Sequence, residues 1–200
     1  MSKRPDPPRH RTPTAHVERA LLDAATQLLE DEGPEALSVR RICTAANVAP
    51  MGLYSRFGGK QGVVEALFVE GFEELRELFT TIDLTDAGAA LRESGYRYRQ
   101  HALANRARYS IMFDRPIIDF DPSDDAKLRA GAAFEALISL VRRAIERGAI
   151  APRDPDDVAQ LIWSTCHGAV SLELAGLGFV EDRNELYEQL LDLLMRGLTT

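Results

Sequence analysis

Cysteine, tryptophan and long apolar runs are what this sequence has least of, and each shortage closes off a class of function. Its 200 residues include two cysteines and one tryptophan. Cys43 and Cys166 fall in separate helical segments without Cys-x-x-Cys or Cys/His ligand spacing, so buried reduced thiols are expected rather than a metal or redox site. No stretch approaches the roughly eighteen consecutive apolar residues that a membrane helix requires. The opening MSKRPDPPRHRTPT carries Lys and Arg without an apolar core, so no signal peptide is expected and the protein is read as cytoplasmic. Catalytic signatures are missing too: there is no His-Glu-x-x-His, no Gly-x-Ser-x-Gly and no Glu-x-x-His. Gly58-Gly59-Lys60 is no phosphate loop, because Tyr54 stands where the first glycine would fall and Gln61 follows the lysine. Neither an enzyme nor a cofactor is expected.

What is present is apolar material for a real core, 45% of residues, under a net charge of −7. That charge is unevenly spread. Residues 1–60 hold nine Lys and Arg against seven Asp and Glu, whereas the remainder holds fifteen against twenty-four. A basic first part and an acidic remainder suit a chain that meets nucleic acid with its first sixty residues and keeps it off the rest.

No period-two alternation appears, so an all-α fold of about nine helices is expected. Residues 1–13 are Pro-rich and basic and read as a disordered arm that either touches DNA or is a plain tail. An amphipathic helix from Thr14 follows, with Val17, Ala20, Leu21, Ala24, Ala25, Leu28 and Leu29 on one stripe, stopped by Gly33-Pro34. Further helices are read over residues 59–82, 86–105, 106–113, 124–148, 154–176 and 185–198. The domains expected are a helix-turn-helix unit over 14–60 and a helical bundle over 61–200.

The stretch 38–60, SVRRICTAANVAPMGLYSRFGGK, organises the rest. Ser38 can cap a short helix carrying Val39, Ile42, Cys43 and Ala46; Asn47 tolerates a left-handed turn, and Pro50 restarts a helix at its favoured first position. Two short helices joined this way make a helix-turn-helix. Leu53 and Phe57 share the inner face of the second helix, which leaves Met51, Gly52, Ser55 and Arg56 on the other faces and Tyr54 at the edge. Arg40 can reach a guanine edge or a phosphate. Ser38 and Tyr54 can donate to phosphate oxygens, and Lys60 can neutralise one where a helix begins.

This segment resembles the DNA-binding domain of the TetR family of bacterial transcriptional regulators, with Leu53, Tyr54, Phe57 and Lys60 at the positions of the family pattern. Gly52 stands where the family usually has Thr or Ser, Ala49 where a Ser commonly caps, and Gly58-Gly59 replaces a more polar turn. The later part is similar to a branch of that family through Trp163, His167 and Gly168 and through the run Arg108-Tyr109-Ser110-Ile111-Met112-Phe113. The resemblance implies an apolar or amphipathic effector cavity, for which Leu103, Tyr109, Met112, Phe113, Phe134, Leu137, Trp163 and His167 are the candidate walls, although each taken singly reads first as ordinary core. Two apolar C-terminal helices suit a homodimer interface. Double-stranded operator DNA and a small-molecule effector are thus the expected partners of a homodimeric repressor. A helical ligand-binding protein whose helix-turn-helix no longer reads DNA stays open as the alternative.

Overall fold

The structure is a computed structural model that describes residues 14–114 and 117–199; the arm expected over residues 1–13 lies outside them. The described residues form nine α-helices and no strand. They divide into two compact units between Ala66 and Leu67.

In the first unit α1 (Thr14–Glu32) packs on α2 (Val39–Ala45) and α3 (Pro50–Phe57). The stripe of α1 is buried at Leu21, Ala24, Ala25 and Leu29, together with Leu37, Ile42, Cys43 and Leu53. A short 3-10 turn, Pro34–Ala36, follows Gly33, whose φ of 80° suits glycine. In the sequence it is hidden by the Gly33-Pro34 pair, which reads only as a helix stop.

The helix α4 (Lys60–Thr80) begins in the first unit and continues into the second. Its period-3.6 apolar pattern buries Val63 and Val64 early and Leu67, Phe68, Leu75 and Phe79 later.

The second unit adds α5 (Ala87–Ala104), α6 (Arg106–Phe113), α7 (Asp124–Glu146), α8 (Pro155–Leu174) and α9 (Arg183–Thr199). Their starts are written locally: Asp86 accepts from the Ala89 amide at 2.9 Å, Ser123 from Ala126 at 3.2 Å, and Asp154 from Asp156 at 2.9 Å. Asp182 accepts from the Glu185 amide at 2.9 Å, which explains why α9 starts two residues before the expected 185. Among the described residues no helix is long and apolar enough to cross a membrane.

The hub of this unit is α5, which touches α6, α7, α8 and α9. Its apolar face packs through Ala90, Leu91, Tyr98 and Ala102. A Cβ on Gly95 would lie 2.6 Å from Leu191 Cδ2, so glycine there sets how close α9 comes. One turn on, Arg99 is only 6% exposed. Its guanidinium donates to both carboxylate oxygens of Glu173 on α8, at 2.7 and 2.8 Å, and to Asn184 Oδ1 on α9 at 2.9 Å. It also lies 5.1 Å from the centre of the Tyr187 ring, whose hydroxyl donates to the Gly95 carbonyl.

Because a buried carboxylate without its partner is costly, Arg99→Met is expected to lower unfolding free energy by about 3 kcal/mol in urea titrations. The Arg99 hydrogen bonds hold Glu173 below the ordinary carboxylate range. Their contribution is therefore complete above the unfolded pKa and is lost as pH falls through the lower folded one. The wild type should lose stability on acidification from pH about 5 to about 3 more steeply than Arg99→Met.

Candidate nucleic-acid interface and apolar cavity

The turn between α2 and α3 is built by backbone chemistry. The Ser38 hydroxyl accepts from the Arg41 amide at 3.3 Å and starts α2. At its end the Val48 amide reaches the Cys43 carbonyl at 3.0 Å and the Asn47 amide reaches Thr44 at 3.2 Å, with Asn47 at φ 52°. This is a Schellman closure with asparagine in the left-handed place. Pro50 opens α3, and Gly58 at φ 70° closes it two residues before α4 begins at Lys60.

No Asp or Glu occurs between Glu35 and Glu65, so the whole turn and both its helices are free of acidic side chains. The three arginines there are used differently. Arg41 pairs with Glu32 of α1. The Arg56 guanidinium folds back on its own helix, donating to the Gly52 carbonyl at 3.0 Å and to Ser55 Oγ at 3.2 Å, with Glu18 at 3.9 Å. Arg40 is exposed and makes no ion pair among the described residues. Also exposed, on α3, are Met51 at 75%, Tyr54 at 52%, and Ser55. Ser38 and Lys60 are half-buried at the starts of α2 and α4.

Six of the eight residues proposed for DNA therefore sit at helix starts or on the open side of α2 and α3. Arg56 and Gly52 differ. A Cβ on Gly52 would come 2.8 Å from Val48 Cγ1, so position 52 points into the turn rather than outward. Its bare carbonyl is then covered by the Arg56 side chain one turn on. Neither arrangement can be read from the sequence, because it depends on where Val48 and Glu18 lie in space.

In the second unit a half-open cavity of about 300 Å³ is lined by Phe72, Leu75 and Phe79 of α4, Phe113 of α6, Ala130, Gly131, Ala133, Phe134 and Leu137 of α7, and Trp163 of α8. The wall holds five aromatic rings and no charged side chain. Of the eight residues anticipated, Phe113, Phe134, Leu137 and Trp163 line it. Leu103 is half-buried on α5 and takes no part in the wall. Phe72, Leu75 and Phe79 read in the sequence only as an apolar stripe, although their i, i+3, i+7 spacing places them on one side of α4.

Tyr109, Met112 and His167 lie outside the lining: the Tyr109 and His167 rings pack on Phe113, and Met112 lies against Gly71 of α4. The hydroxyls of Tyr98 and Tyr109 lie 2.8 and 3.0 Å from Nδ1 of His167, and the Tyr109 ring stacks on the imidazole at 5.6 Å. Burial pushes the His167 pKa down and favours the neutral ring, whose Nδ1 lies within hydrogen-bond distance of both tyrosine hydroxyls. Protein groups thus occupy the Nδ1 side of His167.

A second hollow, about 430 Å³, lies along α8 and α9, with Leu172, Leu177, Phe179, Val180, Leu186 and Leu190 on its walls. Phe179 is 99% exposed, and Leu161 and Leu193 extend the apolar surface on the same two helices. Among the described residues no cluster of His, Cys, Asp and Glu could hold a metal ion.

A family model described as "Bacterial regulatory proteins, tetR family" matches residues 21–67, and one described as "Tetracyclin repressor-like, C-terminal domain" matches residues 91–194. A protein with unknown function from Rhodococcus sp. RHA1 superposes at a TM-score of 0.83 with 24% identity, covering 98% of this chain and 100% of its own. The TetR family transcriptional regulator PfmR from Thermus thermophilus superposes at 0.67 with 20% identity, covering 90% and 99%. The fatty acid degradation regulator FadR from Bacillus halodurans superposes at 0.69 with 20% identity, covering 95% and 98%. At these identities the likeness is one of fold. No curated protein matches the sequence.

Gly131 offers a clean probe of the cavity, since it sits inside α7 and a Cβ there would meet nothing within 4 Å. Gly131→Ala is expected to raise stability by about 0.5 to 1 kcal/mol through helix propensity. Gly131→Leu should abolish quenching of Trp163 fluorescence by a small apolar probe such as naphthalene without lowering the melting temperature.

Proposed function

The chain belongs to the TetR family of bacterial regulatory proteins, and we propose that this transcriptional regulator is a cytoplasmic repressor that binds a palindromic operator as a homodimer and leaves it when a small apolar molecule fills the cavity. The observation that carries this reading is the acid-free, open side of α2 and α3, where Arg40, Met51, Tyr54 and Ser55 are exposed between helix starts at Ser38 and Lys60. Arg40 and Lys60 supply charge for phosphates or a guanine edge, Ser38 and Tyr54 supply hydroxyls, and α3 enters the major groove.

Support for the dimer comes from the exposed apolar residues Leu161 and Leu172 of α8, Leu186 and Leu193 of α9, and Leu177 and Phe179 of the loop that joins them. Two copies of that surface would form a four-helix contact with two-fold symmetry, the symmetry a palindrome needs. The effector reading rests on the ringed cavity, whose walls suit an aromatic group or an acyl chain better than a charged group. FadR of Bacillus halodurans carries fatty acid degradation in its name, and an acyl compound is one class to try first. Coupling would run through α4, which contributes Phe72, Leu75 and Phe79 to the wall and Val63 and Val64 to the first unit. To empty the operator a hundredfold, an effector must bind the released state about 3 kcal/mol more tightly than the bound one.

The test is selection from a random duplex pool at near-physiological salt. Enrichment of an inverted repeat with half-sites about one helical turn apart is the expected result. Absence of any enriched site from a folded dimer would overturn the reading. On the selected site, Lys60→Ala should weaken binding to all sequences alike and reduce the salt slope by about one. Arg40→Ala should cost about 1 to 3 kcal/mol if its partner is a guanine, and should also relax selection at that position. Trp163, the single tryptophan, reports effector binding directly by fluorescence.

A further inference from the structure

We infer that Met51 is a specificity-determining residue that reads the 5-methyl group of one thymine in each operator half-site. The inference rests on the proposed DNA-binding role of α3 and narrows it to a chemical group on the base.

Met51 is the second residue of α3 and 75% exposed, and Ala49 and Pro50 just before it are exposed too. Three apolar residues in a row thus form the leading end of the helix, on a segment without a single acidic side chain. Two hydroxyls and the arginine of α3 near them are engaged within the protein. The Ser55 hydroxyl donates to the Gly52 carbonyl at 3.2 Å, and the Thr44 hydroxyl donates to the Arg40 carbonyl at 2.9 Å. The Arg56 guanidinium is held by Gly52 and Ser55.

The protons of both hydroxyls are thus used within the protein, Ser55 Oγ also accepts from Arg56, and the Arg56 guanidinium is engaged on its own helix. A guanine edge in the major groove asks for donors, and the side chains of Ala49, Pro50 and Met51 offer none. The apolar group presented there by a base pair is the thymine methyl, and the adenine opposite presents an amino donor suited to a hydroxyl lone pair. Methionine, unbranched and with three rotatable bonds, can lay its thioether over that methyl without a fixed rotamer. Guanine or phosphate contacts are left to Arg40 on α2. The half-site should accordingly contain an A·T pair under α3 whose thymine is recognised by its methyl.

The decisive experiment replaces each thymine of the selected operator in turn with deoxyuridine, which removes the methyl and keeps every hydrogen-bonding group. Binding of the full-length protein is then compared by fluorescence anisotropy for the wild type, Met51→Ala and Met51→Leu. The expected result is one position per half-site where deoxyuridine weakens wild-type binding roughly fourfold, the effect of losing one buried methyl. Met51→Ala should bind the thymine and deoxyuridine duplexes equally at that position, and Met51→Leu should keep the discrimination. Wild-type binding that ignores deoxyuridine at every position would overturn the inference and leave the DNA-binding reading standing. So would a Met51→Ala protein with undiminished sensitivity, or a selected half-site without thymine. Failure to bind any duplex would overturn both.

Discussion

A guanidinium buried in the middle of α5 fixes how the larger unit is assembled. An arginine that is 6% exposed has given up nearly all its water, and that loss must be offset by acceptors placed at matched distances. Glu173 supplies a bidentate partner from α8, Asn184 a carbonyl oxygen from α9, and Tyr187 a ring face from α9. Moving either helix along α5 by even part of a turn would break this set and leave a buried charge. Gly95 acts in the same place by shape, because Leu191 and Cys166 fill the space a side chain would need. Charge and close packing together specify one register for α5, α8 and α9. On the outer edge, Arg92 of α5 repeats the link to α9 through Glu188 and Asp192, exposed and correspondingly weaker.

With that register set, α8 divides its faces cleanly. Cys166 and Val170 go to the core, and Glu173 closes the ion pair at the helix end. Trp163 and His167, four residues apart, share a side: the first forms part of the cavity wall, and the second is held behind Phe113 by two tyrosine hydroxyls. Leu161 and Leu172 are left exposed on another side. One helix thus supports the cavity and presents the surface proposed for the second copy.

How much of this could be read beforehand divides along the range of the interactions. The motif at 38–60 was legible because its signals are local: a serine before a helix, an asparagine after it and a proline at the next start each act within four residues. Helix spans followed for the same reason. The cavity was half legible, since Phe113, Phe134, Leu137 and Trp163 line it while Phe72, Leu75 and Phe79 read only as core stripe. An apolar ring on a wall and one in a core differ only in what lies opposite. Arg99 was invisible in principle, because in the run Tyr96-Arg97-Tyr98-Arg99 nothing local separates the exposed-edge arginine from the buried one. The inward turns of Gly52 and Arg56 belong to the same class.

On the proposed reading, the fate of the arginines in the first unit bears on why two copies would be needed. Residues 1–60 carry only two more basic than acidic side chains, and on α2 and α3 Arg41 and Arg56 are already engaged with Glu32, Glu18 and the Gly52 carbonyl. Arg40 and Lys60 are the cations of that segment with no ion pair among the described residues. On the proposed reading a single chain would displace few counterions, so its grip on one half-site would be weak at physiological salt. Joining two such units makes the second contact intramolecular, and the gain is set by how well the spacing of the units matches that of the half-sites. Affinity built this way is inherently sensitive to geometry. On the proposed reading, a small change in the relation of the two copies' reading units would forfeit the second contact, so an apolar effector that prefers one state would switch the operator.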